Sequence, residues 1–365
     1  MKILLVGAGG YALEHIKAIQ KLSTTDIKLE GIVDPFVNKT NSLNTTIYDT
    51  MEEFYTHHTA DLAIICTPTF LHKEHSLCAL AHGSYVLCEK PVASTVADAI
   101  EMIEAEKKHG KWIAIGYQWS FADAFLKLKE DVLSGIFGKP ISFKTAVSWP
   151  RNIDYYNRGS KWAGRISMNG ITILDSIASN ACAHYVHNMI FLLGNKMNTS
   201  TEISEVKGQC FRANDIENFD TCFLKLKTNE NVPLYFAASH ATEKVKDPEF
   251  VYTFEKAKIV YSKEENPVIK AVFNDGREIT YGDPFENNFK KITDCLDAIK
   301  NGTTPVCTVE TAIPHTRLID KIYKEIPITA FEKEQISYKE SENRLFVPGL
   351  FEKMYEAYEN ENLLI

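Results

Sequence analysis

The chain has 365 residues, 45% of them hydrophobic and 24% charged, with a formal net charge of −8. That is the composition of a globular protein too long for one ordinary core, so two domains are expected. The acidic balance argues against nucleic acid or an anionic membrane as the main partner, and no apolar run reaches the length of a membrane span.

The opening MKILLVGAGG carries only four consecutive aliphatic residues before its first glycine. This is too short for the apolar core of a signal peptide and suits a first strand over 2–7. Further apolar runs end at Asp34 and occupy 61–66, 84–88 and 111–116, as strands buried on both faces do. Amphipathic stretches at 11–22, 71–82 and 96–109 read as intervening helices. The alternation predicts an α/β domain over 1–120, an N-terminal Rossmann doubly wound parallel sheet. The polar segment between Asp34 and Asp61 gives no clear element.

Beyond 120 the pattern changes. A helix is expected over 122–134, a strand over 141–148, an irregular aromatic and basic stretch over 149–169, and one long helix over 171–193. Closely spaced strand runs fill 203–281, with Asn274-Asp275-Gly276 as a hairpin turn. Residues 121–365 therefore read as a C-terminal α+β domain with an open, mostly antiparallel sheet. Helices near 286–301 and 308–326, able to pack back on the first domain, precede a tail. The eight cysteines are scattered with no C-x-x-C pair, which points away from zinc and redox motifs and towards a reducing cytoplasm.

Between the first strand and first helix stands GAGGYA, residues 7–12. Gly7-x-Gly9-x-x-Ala12 meets the needs of a dinucleotide site: a tight turn, close approach of backbone to a pyrophosphate, and a small residue where helix meets strand. The helix N-terminus supplies N–H groups for the phosphates. Asp34, closing the second strand, is placed to accept hydrogen bonds from ribose hydroxyls and to repel a 2′-phosphate. Pro35 and Phe36 follow it rather than an arginine, so NAD is expected in preference to NADP, with Lys39 the one nearby cation that argues the other way.

Ligands of open parallel sheets bind at the carboxyl ends of the strands. Thr67-Pro68 and Glu89-Lys90-Pro91 stand at two such ends, which puts Lys90 towards the nicotinamide. On the expected long helix, Ser176, Asn180, His184 and His187 fall on one face, a polar stripe fit to line a cavity. His184-x-x-His187 lacks further obvious ligands, and no metal is expected. The stretch 149–165 mixes Trp149, Tyr155, Tyr156 and Trp162 with Arg151, Arg158, Lys161 and Arg165. Aromatic faces suit the C–H face of a sugar and arginine suits a carboxylate or several hydroxyls. Arg151, Tyr156 and Lys161 are the candidate substrate contacts, and Glu217 and His240 are able to face the same cavity.

The glycine motif, CTPTFLH at 66–72, CEKP at 88–91 and NACAHYVHN at 180–188 together resemble the glucose–fructose oxidoreductase/inositol dehydrogenase (Gfo/Idh/MocA) family. The resemblance implies a Rossmann domain followed by a domain whose open sheet often serves oligomerisation, hence a homodimer or homotetramer. It implies a sugar or polyol substrate and a nicotinamide cofactor bound through Gly7, Gly9, Gly10, Tyr11, Ala12, Asp34, Thr67, Pro68, His72, Glu89 and Lys90. Lys90 and His184 align with the family's catalytic lysine and histidine, and Asn180 stands where an aspartate is common. Asn180, His184 and His187 join the substrate contacts. A redox-assisted NAD-dependent glycosidase and a non-catalytic dinucleotide-binding regulator are the alternatives, and Lys90 with His184 argue against the second.

Overall fold

The computed structural model describes residues 1–22, 26–37, 45–159 and 161–364. Lys39 lies outside the described residues. The chain divides into two compact units, Met1–Phe121 with Asn287–Ile313, and Ala122–Glu286 with Pro314–Ile365.

The first unit is built on six parallel strands: β1 (Lys2–Val6), β2 (Lys28–Val33), β3 (Ile47–Tyr48), β4 (Leu62–Ile65), β5 (Tyr85–Cys88) and β6 (Ile113–Ile115). Their order is β3-β2-β1-β4-β5-β6. Ile3, Leu4, Leu5, Leu62, Ile64, Ile65, Val86 and Leu87 have no exposed surface, which explains runs without polar alternation. The helices lie within a residue or two of their sequence periodicity. Val96–His109, for example, is capped by Thr95, whose hydroxyl accepts from the Asp98 N–H at 3.1 Å, and stops at Gly110 with φ of 64°. The segment 35–60 supplies β3 and a helix, Met51–His57.

Residues 287–313 complete this unit. The Ile115 N–H donates to the Cys307 carbonyl at 2.8 Å, and the Trp112 indole donates to the Thr303 carbonyl at 3.1 Å. The helix Lys290–Asn301 carries the buried side chains Lys291, Ile292, Cys295 and Leu296.

The second unit begins with the helix Asp123–Ser134 and the strand β7 (Pro140–Ser148). A short ribbon, β8 (Ser167–Met168) with β9 (Ile171–Thr172), precedes the main run: β10 (Ile203–Arg212), β11 (Thr221–Thr228), β12 (Pro233–Ser239), β13 (Lys246–Phe254), β14 (Ala257–Ser262), β15 (Asn266–Phe273), β16 (Glu278–Gly282) and β17 (Ile328–Ala330). The nine-stranded order is β16-β15-β14-β13-β7-β12-β11-β10-β17. Two pairings, β7 with β12 and β10 with β17, are parallel and the rest antiparallel. The turn at Asn274-Asp275-Gly276 joins β15 to β16 as the sequence suggests, with Gly276 at φ of 87°.

The tail is structured. A ribbon of β18 (Ser337–Lys339) and β19 (Arg344–Phe346) leads to a helix, Leu350–Asn360. That helix lays Met354, Ala357 and Tyr358 on Ala146, Phe223, Tyr235 and Ala237, so part of the expected open face is covered by the chain itself.

The long helix expected over 171–193 is not one element. A capping box at Ser176 and Ser179 starts a π-helical turn, Ile177–Ala181, and an α-helix, Ala183–Leu192, follows the break at Cys182. Leu174 takes a left-handed conformation, φ 53°, which stops helix from extending back through it. A π turn also adds backbone between successive turns, so the spacing that puts Ser176, Asn180, His184 and His187 on one helical face does not hold.

Candidate functional site

In the first unit the strand order reverses between β1 and β4, the position where open α/β sheets bind ligands. Gly7 follows β1 there with φ of 87°, and its N–H donates to the Val33 carbonyl at 2.8 Å. A Cβ on Gly7 would lie 3.0 Å from the Cys66 carbonyl carbon at the end of β4, so two strand ends close on a residue that must be glycine. Gly9 and Gly10 are exposed with open space where a Cβ would stand, and the helix Ala12–Leu22 starts directly behind them. This open, N–H-rich turn fits a pyrophosphate. Tyr11 is 45% exposed beside it, its ring stacked on Phe289 at 5.7 Å.

Asp34 ends β2 as expected. One carboxylate oxygen accepts from the Ala8 N–H at 2.8 Å and the other from the Phe36 N–H at 2.9 Å. It therefore shapes the glycine turn as well as standing where a ribose would be read. Phe36 is 96% exposed.

Thr67, Pro68, Glu89 and Lys90 follow β4 and β5 at the same edge. Lys90 is half-buried, and its N–H donates to the Glu89 carboxylate at 3.3 Å. His72 is buried beneath them, with Nδ1 2.8 Å from the Pro91 carbonyl oxygen and Nε2 2.9 Å from that of Thr67. Burial lowers its pKa against the pull of both carbonyls, which favour the protonated ring. His72 thus ties the loop after β4 to the loop after β5.

The Glu89 carboxylate lies against His15 Nε2, at 2.7 Å from Oε1, and pairs with Lys291. Burial would raise its pKa, but Lys291 and His15 override that and hold it well below the usual carboxylate range. Gly116 is shaped by this group, since a Cβ there would meet the Glu89 carboxyl at 3.0 Å. His15 and Lys291 escape sequence reading: one hides in an amphipathic helix and the other stands 202 residues from its partner.

In the second unit Asn180 donates from Nδ2 to Asp175 Oδ1 at 2.7 Å, while Asp175 Oδ2 accepts from the Gly164 N–H at 2.7 Å. Asp175 is the carboxylate next to Asn180 and was not among the sequence candidates. His184 is half-buried on the first turn of the α-helix. His187 has no exposed surface and stacks on Phe191 at 5.6 Å, in the interior beside Lys129 and His315; burial sets its pKa well below the ordinary histidine value. The two histidines therefore occupy different environments.

Of the loop candidates, Arg151 and Tyr156 are half-buried and Lys161 is exposed. The β7–β12 pairing continues past the strands, with the Trp149 N–H donating to the Ser239 carbonyl at 3.0 Å and the Arg151 N–H to that of His240 at 3.1 Å. His240 Nδ1 lies 2.6 Å from the Trp149 carbonyl oxygen, and burial together with Arg151 pushes its pKa down to about 3. Glu217 is instead a surface group, paired with Arg165 at 2.7 Å. Among the described residues no group of three or more His, Cys, Asp or Glu is placed to hold a metal, and no helix is long and apolar enough to cross a membrane.

Residues 1–117 match the family model of the Gfo/Idh/MocA oxidoreductases, described as an oxidoreductase family with an NAD-binding Rossmann fold. D-glucoside 3-dehydrogenase of Escherichia coli (strain K12) is 29% identical over 144 residues, 38% of this chain and 41% of that protein. Inositol 2-dehydrogenase of Acidothermus cellulolyticus is 28% identical over 146 residues, 39% of this chain and 43% of that one. The chain thus spans about two fifths of the length of these curated relatives. Among solved structures, the WlbA dehydrogenase of Chromobacterium violaceum in complex with NADH and UDP-GlcNAcA has a TM-score of 0.74 at 20% identity, over 89% of this chain and 93% of that one. UDP-N-acetylglucosamine 3-dehydrogenase of Acidithiobacillus ferrooxidans has a TM-score of 0.70 at 16% identity, over 89% and 97%. At these identities the structural likeness establishes the fold.

Proposed function

We propose, from the match of residues 1–117 to the Gfo/Idh/MocA oxidoreductase model with its NAD-binding Rossmann fold, that the chain moves hydride between a sugar or polyol hydroxyl carbon and a nicotinamide. The observation that carries the reading is the convergence, at the carboxyl edge of one parallel sheet, of an open glycine turn, Asp34 at the end of β2 and Lys90 just past β5. The relatives named as a glucoside and an inositol dehydrogenase support the substrate class.

The N–H groups of the glycine turn hold the pyrophosphate, and Asp34 accepts from the adenosine ribose, favouring NAD over NADP. When bound, the nicotinamide accepts the hydride. The substrate hydroxyl loses its proton to an imidazole nitrogen of His184. Lys90 stabilises the negative charge of the developing alkoxide, and the exchange of these two roles is the alternative assignment. Asp175 fixes the Asn180 amide, which orients a substrate hydroxyl.

The test is Lys90→Met, assayed by NADH absorbance with a panel of sugars and inositols and by calorimetric titration with NAD. Turnover is expected to fall about a hundredfold or more, with NAD affinity changed by no more than about threefold, less than the effect of one ordinary hydrogen bond. Turnover retained in the variant refutes the assignment of Lys90.

A further inference from the structure

The loop between β7 and the ribbon gathers positive charge without gathering its counter-charge. Two guanidinium groups approach the Tyr155 ring, with the Arg158 carbon 3.7 Å from the ring centroid and the Arg151 carbon 4.8 Å from it. Arg158 also donates to the Tyr155 carbonyl at 2.9 Å. The ring holds both cations in a set orientation, as planar groups stacked on an aromatic face are held. Among the described residues, neither arginine has a carboxylate within ion-pair distance, although the chain carries 48 acidic residues.

Two acids that act electrostatically on Tyr155 and Tyr156 have other partners. Asp175 serves Asn180 and the Gly164 N–H. Asp220 accepts from the Ala213 N–H at 3.0 Å, the Asn214 N–H at 2.9 Å and the Asn214 amide at 2.8 Å. His240, beside Arg151, adds no negative charge. Two polar atoms within this group, Arg151 Nε and the Tyr156 hydroxyl, are buried with no hydrogen-bond partner among the described residues. A buried donor without an acceptor is unusual in a folded protein and commonly marks the place of a missing ligand. Lys161 takes a left-handed conformation here, with φ of 59°, which residues with a side chain seldom adopt.

We infer that Arg151, Arg158 and the Tyr156 hydroxyl form an oxyanion subsite, and that the sugar this chain accepts carries a carboxylate or a phosphate. The inference rests on the proposed sugar specificity of the second unit and narrows it. Guanidinium forks match the paired oxygens of either anion, the Tyr156 hydroxyl supplies a further donor, and Trp149 and Trp162 flank the cluster with apolar faces for the sugar ring. A neutral sugar would leave two adjacent cations uncompensated.

Direct titration tests this without nicotinamide. Quenching of tryptophan fluorescence is followed on adding D-glucuronate, D-glucose 6-phosphate or D-glucose, with calorimetry as a second readout. One or both anions are expected to bind about tenfold or more tighter than glucose, since charge-assisted hydrogen bonds exceed neutral ones. The stronger of the two tells carboxylate from phosphate. Arg151→Met and Arg158→Met should each erase most of that preference, Arg151→Lys should keep part of it, and Tyr156→Phe should weaken anion binding without altering the melting temperature beyond a few degrees. Equal affinity for all three sugars, a preference that survives both methionine substitutions, or no saturable anion binding to the folded protein overturns the subsite. NADH formation from a neutral polyol would then still stand, and anion binding without any NADH formation would sink the dehydrogenase reading instead.

Discussion

At Glu89, desolvation works against ionisation, and Lys291 and His15 more than reverse it. A carboxylate held below its ordinary pKa stabilises the fold at pH values above the unfolded value and loses that contribution as pH falls through the folded one. Glu89→Gln would leave Lys291, 1% exposed, as a buried charge without its counter-ion. We expect a loss of about 3–5 kcal/mol in urea unfolding at pH 7, narrowing under acid conditions. A change below about 1 kcal/mol at pH 7 would mean that water reaches Lys291 after all. The residues that a sequence reveals here are those for which a ligand is proposed: Gly7, Gly9, Asp34 and Lys90 stand at spacings that dinucleotide binding would require. His15 and Lys291 meet at Glu89, and that meeting is decided by how the chain closes. Arg158 stands in plain sight in the 149–165 stretch, but its stacking on Tyr155 is a matter of rotamer and loop path.

The helix Val96–His109 ends against β6 through Glu106, whose Oε1 accepts from the Ile113 N–H at 2.6 Å. Burial, with the nearby Glu310, raises this carboxyl to about 7 although the Ile113 bond opposes it. The sign is the reverse of that at Glu89. Folded and unfolded forms are both protonated at pH 4, and the folded state loses ground as pH rises from the ordinary value towards 7. Glu106→Gln keeps an acceptor for Ile113 and removes the charge. Thermal melts should show it more stable than the parent by about 3 kcal/mol at pH 8 and close to it near pH 4; a stabilisation independent of pH would contradict the account. Elements with a clean period, such as this helix, β1, β2 and β4–β6, are readable because one rule governs their whole length. The stretch 171–193 obeys two. Its apolar content is helical throughout, while Leu174 and the Ser176–Ser179 cap impose a break and a π turn that composition does not announce.

For the molecule as a whole, the division into two units means that a nucleotide bound at the glycine turn stabilises one of them first. At about a hundred times its dissociation constant, a ligand adds about 2.7 kcal/mol to the stability of the state that binds it. Hydrogen exchange should slow most over β1–β6 on adding NAD, and less with NADP at the same concentration. Equal protection by the two would remove the role given to Asp34 beyond its bonds to Ala8 and Phe36. The class of each sheet could be read from strand spacing and connection length. The parallel contacts of β7 with β12 and β10 with β17 could not, because nothing local to those strands distinguishes a neighbour in sequence from one placed there by the remaining chain.

Lys291 reaches Glu89 from 202 positions further along the chain. On the ribosome, at about 5–20 residues per second, the two are made roughly 10–40 s apart. During that interval the nascent first sheet holds Glu89 without the ammonium that neutralises it, and β6 lacks the Cys307 carbonyl at its edge. The N-terminal unit is thus begun first and finished after β16 has been synthesised, so its folding is ordered by translation around all but the last strand, β17, of the second unit's sheet.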